Sequence, residues 1–183
     1  MNVLVVFFGE DRPEAEATLK PAIQEFFTSH GLPVNVTFAS ADLNSMAINE
    51  DRQQYPSGPF LDALGTLESG LKLGVVDGDM FSNSNLNLNF IFGEARRGRE
   101  ACVISTTRLF PEFYGFKPNQ KLFLERIVKE ALHELGHVAG LGHCPDTLCL
   151  MHFSNSIHDT DLKYARLCRI CDGEMKKRIA ERF

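Results

Sequence analysis

The stretch His133-Glu134-Leu135-Gly136-His137-Val138-Ala139-Gly140-Leu141-Gly142-His143 constrains this 183-residue chain more than any other. Helical spacing puts His133 and His137 on one face, one turn apart. Two neutral imidazoles so placed can hold one zinc ion at Zn–N distances of about 2.0–2.1 Å. Glu134, beside the first imidazole, can reach a water on that ion as general base. Gly140 tolerates positive φ, so it can stop the helix and turn the chain back. His143 then approaches the same metal from the loop. Three protein ligands leave one position open, which marks a catalytic rather than a structural zinc.

A second cluster follows at once. Cys144 and Cys149 form a C-x4-C pair and Cys168 and Cys171 a C-x2-C pair, all four within 28 residues. Two close pairs have the form of a structural zinc site. Disulfides and plain apolar burial are the competing readings. The chain shows no secretory signal, and reducing cytosol disfavours disulfides. Cys102, in the apolar run Ala101-Cys102-Val103-Ile104, reads as an inert core residue on a strand.

The H-E-x-x-H-x-x-G-x-x-H pattern resembles the metzincin clan, which implies a Met turn beneath the metal, here at Met151. With Cys directly after the third His, C-x4-C-x-M and a distal C-x-x-C, the chain resembles the archaemetzincins. The likeness is dense from His133 to Cys171 and extends weakly to Leu88–Ala95. Sixteen residues separate Met151 from Cys168, about one fewer than the family pattern. The resemblance implies a catalytic zinc on His133, His137 and His143 with Glu134 as base. It also implies a second zinc on Cys144, Cys149, Cys168 and Cys171.

Length suits a single domain, and 44% apolar residues allow a core without help from metal. A net charge of −5 argues against nucleic-acid binding. The apolar start Met1–Gly9 reads as a first core strand, which leaves no room for a pro-segment. No apolar run approaches the ~18 residues of a membrane helix, so a cytoplasmic protein is expected.

The periodicities predict strands at Asn2–Phe8, Val34–Ala39 and Lys72–Val76. They also predict a hairpin or antiparallel edge pair at Asn87–Ala95 and Ala101–Thr107. Helices are predicted from Pro13 to His30, with a kink or late start at Pro21, and from Phe60 to Leu71. Gln120–Gly140 carries the metal motif, and Thr160–Ile179 forms a last helix capped by Asp159 or Thr160. Asp42–Ser57 has no readable pattern. The fold class is α/β (α+β). The resemblance adds a mixed five-stranded sheet, an active-site helix and a small C-terminal helical subdomain. The expected organisation is one catalytic domain, 1–183, with subdomains 1–143 and 144–183.

The expected activity is a zinc metallopeptidase, endopeptidase or aminopeptidase-like, with peptide or protein substrates. An extended peptide would add to an edge strand at Asn89–Gly93, a segment that an interior strand pairing would instead close off. Tyr164 is a weak candidate for an oxyanion-binding phenol, with helix packing the plainer role. His152 and His158 suit surface or supporting positions. The alternative from another class is a zinc-stabilised peptide-binding module without turnover, against which the intact Glu134 speaks. A third reading is a redox-responsive protein that releases zinc when its thiols oxidise.

Overall fold

The computed structural model describes residues 1–68, 70–96 and 100–182. The apolar opening forms strand β1, Asn2–Phe8. Val3, Val5 and Phe7 point into one core, Val6 and Phe8 into another. A strand buried on both faces belongs inside a parallel sheet. Helix α1, Pro13–Thr28, leads to β2, Asn35–Ala41. The late start considered for this helix does not occur, because α1 begins at Pro13 and continues through Pro21. Pro21 lies on the exposed side, where the carbonyl left without an amide donor can reach water. The buried stripe Ala15, Leu19, Ile23, Phe26 and Phe27 fixes the helix on the sheet.

The unpatterned stretch Asp42–Ser57 contains a short 3-10 turn and strand β3, Tyr55–Pro56. Helix α2 is Ser57–Gly65, shorter and earlier than expected, and β4 is Leu71–Val76. A strand not foreseen, β5 at Met80–Phe81, pairs in parallel with β3. Strands β6, Gly93–Arg96, and β7, Ala101–Ser105, form the expected antiparallel pair. Their connection, Arg97-Gly98-Arg99, lies outside the described residues. Residues 87–92 are not strand. They belong to a rim of turns, tied to β5 by a bridge between Ile91 and Met80.

The main sheet has five strands in the order β2-β1-β4-β7-β6, parallel except for β6. Helices α1 and α3 (Gln120–Ala139) cover one face and α2 the other. This is the mixed five-stranded α/β architecture expected. Asn119 caps α3 through its side chain, which accepts from the Leu122 amide at 3.0 Å.

The single last helix is corrected to two, α4 at Ile157–Leu162 and α5 at Arg169–Arg182. Ser156 starts α4, with a reciprocal capping box to Asp159. Between the helices the chain is drawn out of helical form. The Tyr164 amide donates to the Leu148 carbonyl and the Leu150 amide to the Arg166 carbonyl, both at 2.9 Å. Among the described residues, no helix is long and apolar enough to cross a membrane.

Candidate metal centres and cleft

Helix α3 divides its faces by chemistry. Phe123, Ile127, Ala131, Leu135 and Val138 are buried in the core. Glu130, His133, Glu134 and His137, at helical spacing, line a cleft of about 520 Å³. Gly140 takes φ of 110° and ends the helix, a conformation that a side chain would strain. The chain then returns His143 to the same cleft.

His137 Nε2 lies 3.0 Å from His133 Nε2 and 3.1 Å from His143 Nε2. His133 Nδ1 donates to the Leu150 carbonyl at 2.8 Å and His137 Nδ1 to the Leu141 carbonyl at 3.0 Å. A carbonyl can only accept, so these bonds fix the Nε2 atoms as lone-pair donors to a metal. Two such nitrogens at 3.0 Å repel unless a cation sits between them. Tetrahedral zinc at Zn–N of about 2.05 Å requires N···N of about 3.3 Å, so the group fits. Burial, followed by the Lys163 ammonium, holds His133 well below the usual imidazole range. That keeps the ring neutral for ligation.

Met151 is fully buried beneath this helix. A Cβ at Gly136 would come within 2.6 Å of Met151 Sδ, so the glycine inside the motif is the space the methionine needs. Glu134 meets the sheet edge the same way. A Cβ at Gly93 would lie 2.7 Å from Glu134 Oε1. Burial, then the Glu130 carboxylate, raises the Glu134 carboxyl well above the usual range. Such a group exchanges protons nearer neutral pH.

The four cysteines gather behind the His143 loop. Their sulfurs lie within 4.8 Å of one another, and Cys144 Sγ is 3.8 Å from Cys168 Sγ. Zinc at Zn–S of about 2.3 Å requires S···S of about 3.8 Å, whereas a disulfide needs about 2.05 Å. All five cysteines are free thiols. Burial and the Cys144 thiol push Cys171 far up, while the Cys171 backbone amide draws Cys168 down. A divalent cation supplies the charge that lets such a crowd ionise. Cys168 precedes α5 and Cys171 lies in its first turn, so the pair straddles a helix start rather than sharing a helix.

Tyr164 is about half exposed and lies outside the cleft, under the Arg166 guanidinium. His152 Nδ1 bonds the Cys144 carbonyl, and neither His152 nor His158 lines the cleft. Cys102 is a buried core residue, as expected. Sequence reasoning missed Glu130 and Lys163, both buried, with Lys163 Nζ 2.9 Å from Glu130 Oε1. That pair is close in distance but lacks the angles of a hydrogen bond. The signal for Glu130 was present, since it stands three and four residues before His133 and Glu134.

Together, fold and site define a metal-dependent hydrolase with an open three-histidine centre below a sheet edge. The chain matches the model of peptidase family M54 over residues 61–177. It is 39% identical over 186 residues to an archaemetzincin of Pyrococcus abyssi, covering 99% of this chain and 97% of that protein. An archaemetzincin of Methanocaldococcus jannaschii is 44% identical over 137 residues, 75% of this chain and 74% of the relative. The crystal structure of archaemetzincin from Methanopyrus kandleri superposes with a TM-score of 0.84 at 33% identity, covering 98% and 96% of the two chains. That from Archaeoglobus fulgidus, complexed with malonate, gives 0.76 at 32% identity, with 95% and 99% covered. The chain belongs to peptidase family M54 and is a zinc metallopeptidase.

Proposed function

We propose that His133, His137 and His143 hold the catalytic zinc and that Glu134 is the general base of peptide hydrolysis. The observation that carries this is the convergence of three Nε2 atoms, two of them aimed by carbonyl bonds, beside a buried carboxyl. Bound there, zinc supplies Lewis acidity, which polarises a peptide carbonyl and makes water a nucleophile near neutral pH. Glu134 takes the proton from the attacking water and delivers it to the leaving amine. Its raised pKa suits both transfers.

The peptide lies extended along β6. The Ser105 amide bonds the Phe92 carbonyl, which sets the ladder so that Gly93 and Ala95 turn their backbone groups away from β7. Both residues line the cleft, where an added strand can pair with them.

Cys144, Cys149, Cys168 and Cys171 hold a second, structural zinc, giving two ions per chain. Residues 1–143 and 144–183 act as two subdomains of one metzincin catalytic domain, divided by the cleft. Thiols set at zinc rather than disulfide spacing suit a reducing cytoplasm. A peptide-binding module without turnover would have no use for a buried base among the ligands.

Cleavage of a diverse peptide mixture, followed by mass spectrometry on parent and Glu134→Ala, tests the assignment. Cuts by the parent alone, with zinc retained in the variant, are expected. Equal cutting by both proteins would remove Glu134 from the mechanism. The cut positions also distinguish endopeptidase from aminopeptidase action.

A further inference from the structure

The stretch Asp42–Ser57, without pattern in the sequence, sends an arm to the back of the cleft rim. A tight turn closes between Asn49 and Gln54, whose backbones exchange hydrogen bonds at 2.9 and 3.4 Å. The Arg52 amide donates to Asn49 Oδ1 at 2.9 Å. Gln53 takes φ of 52°, which residues other than glycine rarely adopt. Such conformations persist where surrounding structure enforces them, often at functional positions.

The arm grips the rim through its backbone. Arg52 Nη2 donates to the Asn89 carbonyl at 2.8 Å and to the Leu88 carbonyl at 3.3 Å. Gln54 Nε2 donates to the same Asn89 carbonyl at 3.0 Å and to Asp79 Oδ2 at 2.9 Å. Gln54 Oε1 accepts from Arg52 Nε at 2.9 Å, so the two side chains fix each other. Asp79 in turn binds Arg108 through two bonds of 2.7 Å. The Arg108 guanidinium stacks 4.0 Å from the Phe90 ring centroid. Leu88, Asn89 and Phe90 are therefore held from behind by one connected set, and all three line the cleft. Gln54 is 5% exposed and does not itself line the cleft. Burying the Gln54 amide is costly unless its hydrogen bonds are met, and here its donors find the Asn89 carbonyl and Asp79.

We infer that Arg52 and Gln54 are positioning residues for peptide binding: they lock the rim at Leu88–Phe90 so that the adjoining edge at Gly93 meets an extended substrate already in register. The inference rests on the reading that the peptide lies along this edge. A preformed edge saves the ordering that a loose one would require on binding, so the arm governs substrate affinity rather than the chemical step.

Gln54→Glu is nearly isosteric and turns the donor into an acceptor facing Asp79 and the Asn89 carbonyl. Gln54→Met and Arg52→Met delete the polar groups. Two readouts apply: amide hydrogen exchange across Ser84–Ala95 without peptide, and cleavage kinetics of the zinc-loaded proteins. Exchange at Leu88–Ile91 is expected to rise about tenfold, with α3 unchanged. KM is expected to rise about fivefold or more with kcat held within about twofold. The Arg52→Met, Gln54→Met pair should lose little more than the worse single variant, because both act on one carbonyl. Unchanged exchange, an unchanged KM or a loss confined to kcat would overturn the inference. So would loss of zinc or of the folded state in all three single variants, since the arm would then be a general stability element. A parent that cleaves no peptide refutes the peptidase-site reading instead, and the exchange measurement still decides whether the arm holds the rim.

Discussion

Two glycines show how individual residues shape this site, each by leaving out a side chain. Gly93 gives Glu134 its place under the sheet edge, because a methyl there would fall 2.6 Å from Glu134 Cγ. Gly93→Ala should fold and bind zinc yet lose about a hundredfold or more in kcat/KM, since misplacing a catalytic group by ~1 Å has that effect. Steady-state kinetics with a zinc assay checks this; near-parental activity would show that Glu134 has room to spare. Gly136→Ala should cost about 1–2 kcal/mol in denaturant unfolding, as overpacking against Met151 outweighs the gain in helix propensity. Lys163→Met leaves the buried Glu130 without its cation, with only the Thr160 hydroxyl donating to it, and should cost about 3–5 kcal/mol, while Glu130→Leu added to it should restore part of the loss. The three histidines proposed as ligands were legible because helical spacing and the turn at Gly140 bring them together. Gly93 and Lys163 were not, because their meaning comes from what a distant element places against them.

At the scale of elements, the long helices and the sheet strands followed from periodicity, and the departures have tertiary causes. Nothing between Leu162 and Cys168 is a helix breaker in sequence. The chain leaves helical form there because Tyr164 and Arg166 bond backbone groups at Leu148 and Leu150. The arm at 49–56 was illegible for the same reason, since its stability lies in bonds to residues about 25 to 37 positions away. Pro21 sits inside α1 rather than delaying its start. Pro21→Ala should restore a helical hydrogen bond and raise unfolding free energy by about 1–2 kcal/mol, less than a buried proline would because the site is exposed. Helix α4 gives a pH test. Slight burial works to raise the Asp159 carboxyl, but bonds from the Ser156 hydroxyl and from the Ser156 and Asn155 amides outweigh it and depress its pKa. A depressed carboxyl contributes stability above its unfolded value of about 3.9, and that contribution fades as pH falls through the folded value. The stability gap between parent and Asp159→Ala should therefore be widest near neutral pH and shrink in acid. A gap that grows on acidification would contradict the capping box.

The whole molecule turns on a shared peptide bond. His143 ends the first proposed ligand set and Cys144 begins the second, so the two sets are covalent neighbours. The cysteine centre also gathers the start of α5 onto the loop that carries His143 and Met151, with the Cys144 amide bonded to the Met151 carbonyl at 2.9 Å. On the proposed two-centre account, one ion would perform the chemistry and the other would keep the third histidine and the wall of the cleft in place. Zinc per chain, measured after dialysis against a weak chelator, tests this most directly on parent, His143→Ala and Cys171→Ser. Two ions, one and one are predicted, with Cys171→Ser also losing thermal stability. A parent that holds a single ion, unaffected by Cys171→Ser, would contradict the two-centre account.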